Sequence, residues 1–199
     1  MSIRSFPVNY RALQSGISFV ELIMFIVIVS VGIVGILSVM NLTTAHSSDP
    51  LVRKQAIAIA ESLLEEIEMQ PFSYCDPDDP SAASPAVTQP GDCAIPEGFG
   101  PEGGETRTDS VLPFDNVNDY VDANGVPKAI AIVDVSDNTA IAGLSAYSAT
   151  VTITQESVGS GAGAVAATES LRIDVRVTGP AGTDVTLTGY RLRYAPWSV

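Results

Sequence analysis

Histidine occurs once, at His46, and cysteine twice, at Cys75 and Cys93, in a chain of 199 residues. So little imidazole and thiol leaves little material for a Ser-His-Asp triad or a zinc site. Basic residues are scarce as well: 10 Lys and Arg stand against 23 Asp and Glu, a formal net charge of −13. A chain this acidic is repelled by phosphate backbones, so nucleic-acid binding is not expected. Aromatic residues make up only 7% and charged residues 17%, but 46% are hydrophobic, which supports a packed core and argues against wholesale disorder. The length suits one domain and is marginal for two. An enzyme would have to work with carboxylates alone beyond His46, and no paired constellation of that kind stands out. No catalytic residue, cofactor or metal is therefore expected.

What is abundant is apolar sequence near the amino terminus. From Leu22 to Ala45, 24 residues pass without a charge. At about 1.5 Å per residue such a run crosses a hydrocarbon layer of roughly 30 Å. An ordinary signal anchor is the plain alternative; a cleaved secretory signal has a shorter run and is cut after it. Here the preceding residues 1–16 are polar, carry Arg4 and Arg11 with no acid, and end in Gly16 directly before the run. That basic leader belongs on the cytoplasmic side. Glu21 lies at the start of the run, where an acid costs roughly 2.5–3.5 kcal/mol at mid-membrane. A charge placed there needs a partner or a purpose.

Gly16-Ile17-Ser18-Phe19-Val20-Glu21-Leu22-Ile23 resembles the signature of type IV prepilins. Ile17 stands where Phe is usual, and Ser18-Phe19-Val20 replaces Thr-Leu-Ile, with residue character kept. The resemblance implies cleavage by a prepilin peptidase between Gly16 and Ile17, and methylation of the new amine on Ile17. It also implies an apolar helix that first anchors the chain in a lipid bilayer and later forms a filament core. Glu21 fits that picture physically, because the Ile17 amine, its own or a neighbouring subunit's, neutralises the carboxylate in a low-dielectric setting.

Beyond Met40 the pattern becomes amphipathic. Val52, Ala56, Ile59, Leu63 and Ile67 recur at spacings of three and four. A helix is expected from about Asp49, as N-cap with Pro50 following, to Met69, with Pro71 stopping it. Residues 41–48 are either a melted joint or a continuation of the helix. Cys75 and Cys93 follow, on the non-cytoplasmic side by this topology, and read as one disulfide closing a loop of 17 intervening residues. Asp76, Asp78 and Asp79 within it have the chemistry of calcium ligands but not EF-hand spacing, and a solvated acidic turn is the expectation.

From Ile130 onward strand signals dominate. Tyr147, Ala149, Val151 and Ile153 alternate with polar residues, as do Leu171, Ile173, Val175 and Val177. Ile130–Val135 is expected as a shorter strand. In the last strand the apolar set changes parity at Gly189, from Val185 and Leu187 to Tyr190, Leu192 and Tyr194, which suggests a bulge. Gly159, Gly161 and Gly163 lack the context of a phosphate loop and are expected at a hairpin tip.

Phe114-Asp115-Asn116-Val117-Asn118-Asp119-Tyr120 is similar to an acidic element of the D-type minor pilins of mannose-sensitive haemagglutinin (MSHA) pili. Ser48-Asp49-Pro50, the helix ending Leu63-Leu64-Glu65-Glu66-Ile67 and the terminal strand resemble that family too. Asn116 and Asn118 replace two of its acids. Asp115 and Asp119 are candidates for an ion- or partner-binding loop; an ordered Asx-rich turn holding Phe114 and Tyr120 against the sheet is the alternative.

The expected fold is thus α+β and type IV pilin-like, a long helix packed on an antiparallel sheet of about four strands. Its parts are a leader (1–16), an apolar helical half (17–45), an amphipathic half (46–70), a disulfide-containing loop (71–129) and a sheet head (130–199). The resemblance implies a non-enzymatic minor pilin, first in the bacterial inner membrane with its head in the periplasm and then in an extracellular pilus. Implied partners are the prepilin peptidase, other pilin subunits and the inner-membrane assembly platform. A pseudopilin of a type II secretion system and a membrane-anchored periplasmic binding module are the alternatives.

Overall fold

The computed structural model describes residues 16–47 and 49–193, with side chains at 42–49 excepted. The leader before Gly16, the capping role of the Asp49 side chain, and Tyr194 lie outside the described residues. The chain divides into two compact units, 1–47 and 48–199.

The first unit is helix α1, Phe19–Ser47. Residues 41–47 are helical, so of the two alternatives for that stretch the melted joint does not hold for them. Its stretch Phe19–Asn41 is long and apolar enough to cross a membrane, and none of it is buried within the protein. Two hydroxyls that would be costly in hydrocarbon are silenced on the helix itself: Ser30 Oγ donates to the Ile26 carbonyl at 2.7 Å and Ser38 Oγ to that of Val34 at 2.9 Å.

The second unit is α+β. Helix α2, Asp49–Met69, stops just before Pro71, whose ring would clash with a continuing helix. Strands β1 (Lys128–Ile130), β2 (Ser148–Gln155), β3 (Ser170–Thr178) and β4 (Asp184–Leu192) form an antiparallel meander in the order β1-β2-β3-β4. The period-two pattern sends Ala149, Val151 and Ile153 of β2, and Leu171, Ile173, Val175 and Val177 of β3, to one buried face. That face receives Ala56, Ile59, Ala60, Leu63 and Ile67 of α2, which lies over β3 and β4.

Two strand expectations are corrected. The short strand is Lys128–Ile130 rather than Ile130–Val135, because only Lys128, Ala129 and Ile130 find partners, at Val151, Thr150 and Ala149 of β2. Beyond Ile130 the chain leaves the sheet, and Val133 makes an isolated bridge to Ala140.

No bulge interrupts β4, which pairs with β3 residue for residue, Gly189 opposite Ile173. Parity is kept, leaving Tyr190 and Leu192 on the exposed face. Gly189 serves the helix instead: a Cβ there would lie 2.0 Å from Glu68 Oε1 and 2.9 Å from Leu64 Cδ1. Arg193 then turns back over Phe72 and Tyr74, its guanidinium carbon 3.7 and 4.1 Å from their ring centroids, and pairs with Glu169 at 3.2 Å.

Candidate functional site

Two regions hold the residues singled out by the sequence, one in each unit. At the start of the first, Gly16, Ile17 and Ser18 precede α1 as exposed, non-helical chain. Among the described residues, a Cβ on Gly16 would meet nothing within 4 Å. Glu21 occupies the first turn of α1, with its side chain exposed. A carboxylate is favoured there by the unpaired N–H groups of the helix start.

In the second unit, Cys75 and Cys93 are joined as a disulfide, with Cα atoms 5.4 Å apart. The loop they close is not a solvated acidic turn, because Asp76 and Asp79 are buried and only Asp78 of the three is exposed. Asp79 organises the loop as an acceptor, from the backbone N–H of Ser81 at 2.7 Å, the Ser81 hydroxyl at 2.6 Å and the Ile95 N–H at 2.6 Å. These bonds hold its carboxyl down at about 2, below the usual range.

The Asx-rich element is an ordered turn, a 3-10 helix over Val117–Tyr120. Asn116 accepts from the Asn118 N–H, and Asp119 Oδ2 accepts from the N–H groups of Asn116 and Asp115 at 2.7 and 3.0 Å. Asn116 also donates its amide to Ser73 Oγ at 2.8 Å, a bond that an ionised aspartate could not make. Phe114 meets Tyr120 edge-on, with ring centroids 5.1 Å apart. The turn is therefore the structural alternative foreseen for this element, and its leftover oxygens give it a second character.

Asp119 Oδ1 and Asn118 Oδ1 are buried without a hydrogen-bond partner, as are Glu97 Oε1 and Glu105 Oε2. They belong to a basin of carboxylates drawn from four stretches of loop. Ligand oxygens of Asp76, Asp78, Glu105 and Asp115 lie within 4.8 Å of one another, and those of Glu97, Glu102 and Asp119 do so in an adjoining group. The structure thus places Asp115 and Asp119 in neighbouring groups rather than as one pair.

Among the described residues no Lys or Arg forms an ion pair with any of these seven. Arg107 is engaged on Glu66 and Lys128 on Asp122 at 2.7 Å, while Arg193, which pairs with Glu169, is close enough to Glu97 to feel its charge. Burial, followed by repulsion from the other acids, pushes Glu97 up to about 9 and Glu105 up to about 8. Burial likewise raises Asp119 to about 7 and Asp115 to about 6.

Glu97, Glu102 and Glu105 were not singled out by the sequence reading. The signal that would have found them is regional: residues 75–120 hold ten acids and one base, Arg107. An acid excess of that kind in a folded segment must be solvated, protonated or neutralised. No family model matches the chain, and neither a curated protein nor a solved structure matches it significantly.

Proposed function

We propose that the chain is a structural subunit of a bacterial type IV pilus, a minor pilin of MSHA type, without catalytic activity. It is made with the leader 1–16, cut between Gly16 and Ile17 by the prepilin peptidase, and methylated on Ile17. The α1 segment holds it in the inner membrane with the head in the periplasm. The assembly platform then draws it into a filament by packing α1 against the same segment of other subunits. In this reading Glu21 is the assembly carboxylate, matched by an Ile17 amine.

One observation carries the proposal: the prepilin-like signature sits where its chemistry needs it. Gly16–Ser18 is open, non-helical chain, and the apolar helix with an acid in its first turn follows at once. A span such as Phe19–Asn41, exposed on its own chain, has to be covered by lipid or by other helices. The second unit supports the reading more weakly, through an amphipathic helix laid on an antiparallel sheet.

The test is the intact mass and amino-terminal peptide of the protein extracted from membranes of cells with active prepilin peptidase. A chain beginning at N-methylated Ile17 is the expected result, with Gly16→Leu keeping its leader. Wild-type chain retaining residues 1–16 overturns the proposal in favour of an anchored binding module.

A further inference from the structure

Among the described residues no Lys or Arg pairs with Asp76, Asp78, Glu105 or Asp115, and we propose that these four form a calcium-binding site. This inference does not depend on the pilus reading. Three observations converge on it.

The first is spacing. Oxygens from all four side chains lie within 4.8 Å of one another. Calcium binds oxygen at about 2.3–2.6 Å, so ligands on opposite sides of the ion stand roughly 4.6–5.2 Å apart. The four groups are thus already gathered on the scale of one coordination sphere.

The second is an orphaned ligand. Glu105 is 6% exposed, and its Oε2 is buried without a hydrogen-bond partner. A buried carboxylate oxygen with neither donor nor cation is costly, and a metal ion removes that cost. Among the described residues neither Asp78 nor Asp115 accepts a hydrogen bond on its side chain, which leaves both to turn toward an ion, whereas Asp76 accepts the Asp78 N–H. The adjoining Glu97, Glu102 and Asp119 group, with its own unpartnered oxygens, deepens the negative potential.

The third is donor chemistry. Every ligand is a carboxylate, the hard-oxygen set that calcium accepts in six- to eightfold, irregular coordination. Soft metals are disfavoured because the nearby thiols of Cys75 and Cys93 are spent on their disulfide. The ion would cross-link the cysteine loop, the turn after Gly103-Gly104 and the segment entering the Val117–Tyr120 turn.

The experiment uses the full-length protein in detergent, stripped with chelator and titrated with calcium chloride in about 0.15 M salt. Calorimetry should show saturable uptake, and at a hundredfold excess over Kd the Tm should rise by about 5–10 °C. The Asp78→Asn/Asp115→Asn variant should bind at least tenfold more weakly. Metal-free, it should melt at or above the wild type, because two mutually repelling charges are gone. Glu61→Gln/Glu65→Gln, which removes two exposed acids from α2, should keep full affinity. Absence of saturable uptake by the wild type overturns the proposal. An unchanged response in Asp78→Asn/Asp115→Asn, or an equal loss in the α2 variant, overturns it too, since either means diffuse screening of an acidic surface.

Discussion

Arg107 holds Glu66 through two parallel bonds of 2.7 Å, Nε to Oε1 and Nη2 to Oε2. Its Nη1 reaches the Ala131 carbonyl at 2.7 Å, and Tyr120 donates to Glu66 Oε1 at 2.8 Å. One carboxylate on α2 therefore fastens the middle and the end of the long loop to the helix. Arg107→Met should lower stability by about 2 kcal/mol, a Tm drop of about 4–8 °C, as the partly buried Glu66 loses its fork. Tyr120→Phe should cost about 1 kcal/mol. Thermal unfolding of both single variants and the double variant should give non-additive losses, because the two donors share one acceptor.

Gly189 sets how closely α2 approaches β4. Gly189→Val should cost about 2–3 kcal/mol by overpacking against Leu64, with loss of cooperativity in the denaturant transition. Gly189→Ala should cost under ~1 kcal/mol, because its nearest obstacle, Glu68 Oε1, is the end of a flexible side chain. Glu68→Ala in that background should recover most of the loss. An equally large penalty for Ala and Val would mean the approach is set elsewhere.

The disulfide should matter more than its place in an irregular loop suggests. Cys75→Ser/Cys93→Ser should destabilise by about 3 kcal/mol on the chain-entropy account, a Tm drop of roughly 6–12 °C. Comparing melts of wild type with and without reductant checks this without any substitution.

The second unit should fold alone. Among the described residues, its buried apolar side chains run from Ala56 to Val185 and none comes from α1. A fragment of residues 48–199 should be soluble, unfold cooperatively, and match the stability of the full chain within ~0.5 kcal/mol. Aggregation or a broad, non-cooperative melt would show that the core needs more than this unit.

The strands paired along their whole length were legible: in β2 and β3, which pair with each other from end to end, the alternation of buried and polar residues matches the pleat. The legible part thins where pairing is short or where a neighbour overrides pattern. Ile130–Val135 looked like a strand by its apolar residues, but β1 has only three residues of β2 to pair with. Tyr190 and Leu192 looked like a switched inner face because Gly189 is silent in a hydrophobic pattern, and the reason it is glycine lies on α2. The membrane-length helix was readable from apolar run length alone. The acid basin was half readable: Asp76, Asp78, Asp115 and Asp119 drew notice locally. Glu97, Glu102 and Glu105 did not, because no periodic element relates them and only the folded loop brings them together.

The meander also has a consequence in time. Helix α2 rests mainly on β3 and β4, the two strands made last, so no shorter nascent chain can cover its apolar stripe completely. At about 5–20 residues per second, synthesis needs roughly 6–25 s to travel from the end of α2 to the end of β4. Until then Ile59, Leu63 and Ile67 have only the earlier part of the core, such as Phe72, Val117 and Tyr120, to pack against. The apolar stripe of α2 is therefore fully covered only once the chain has been made as far as Leu192.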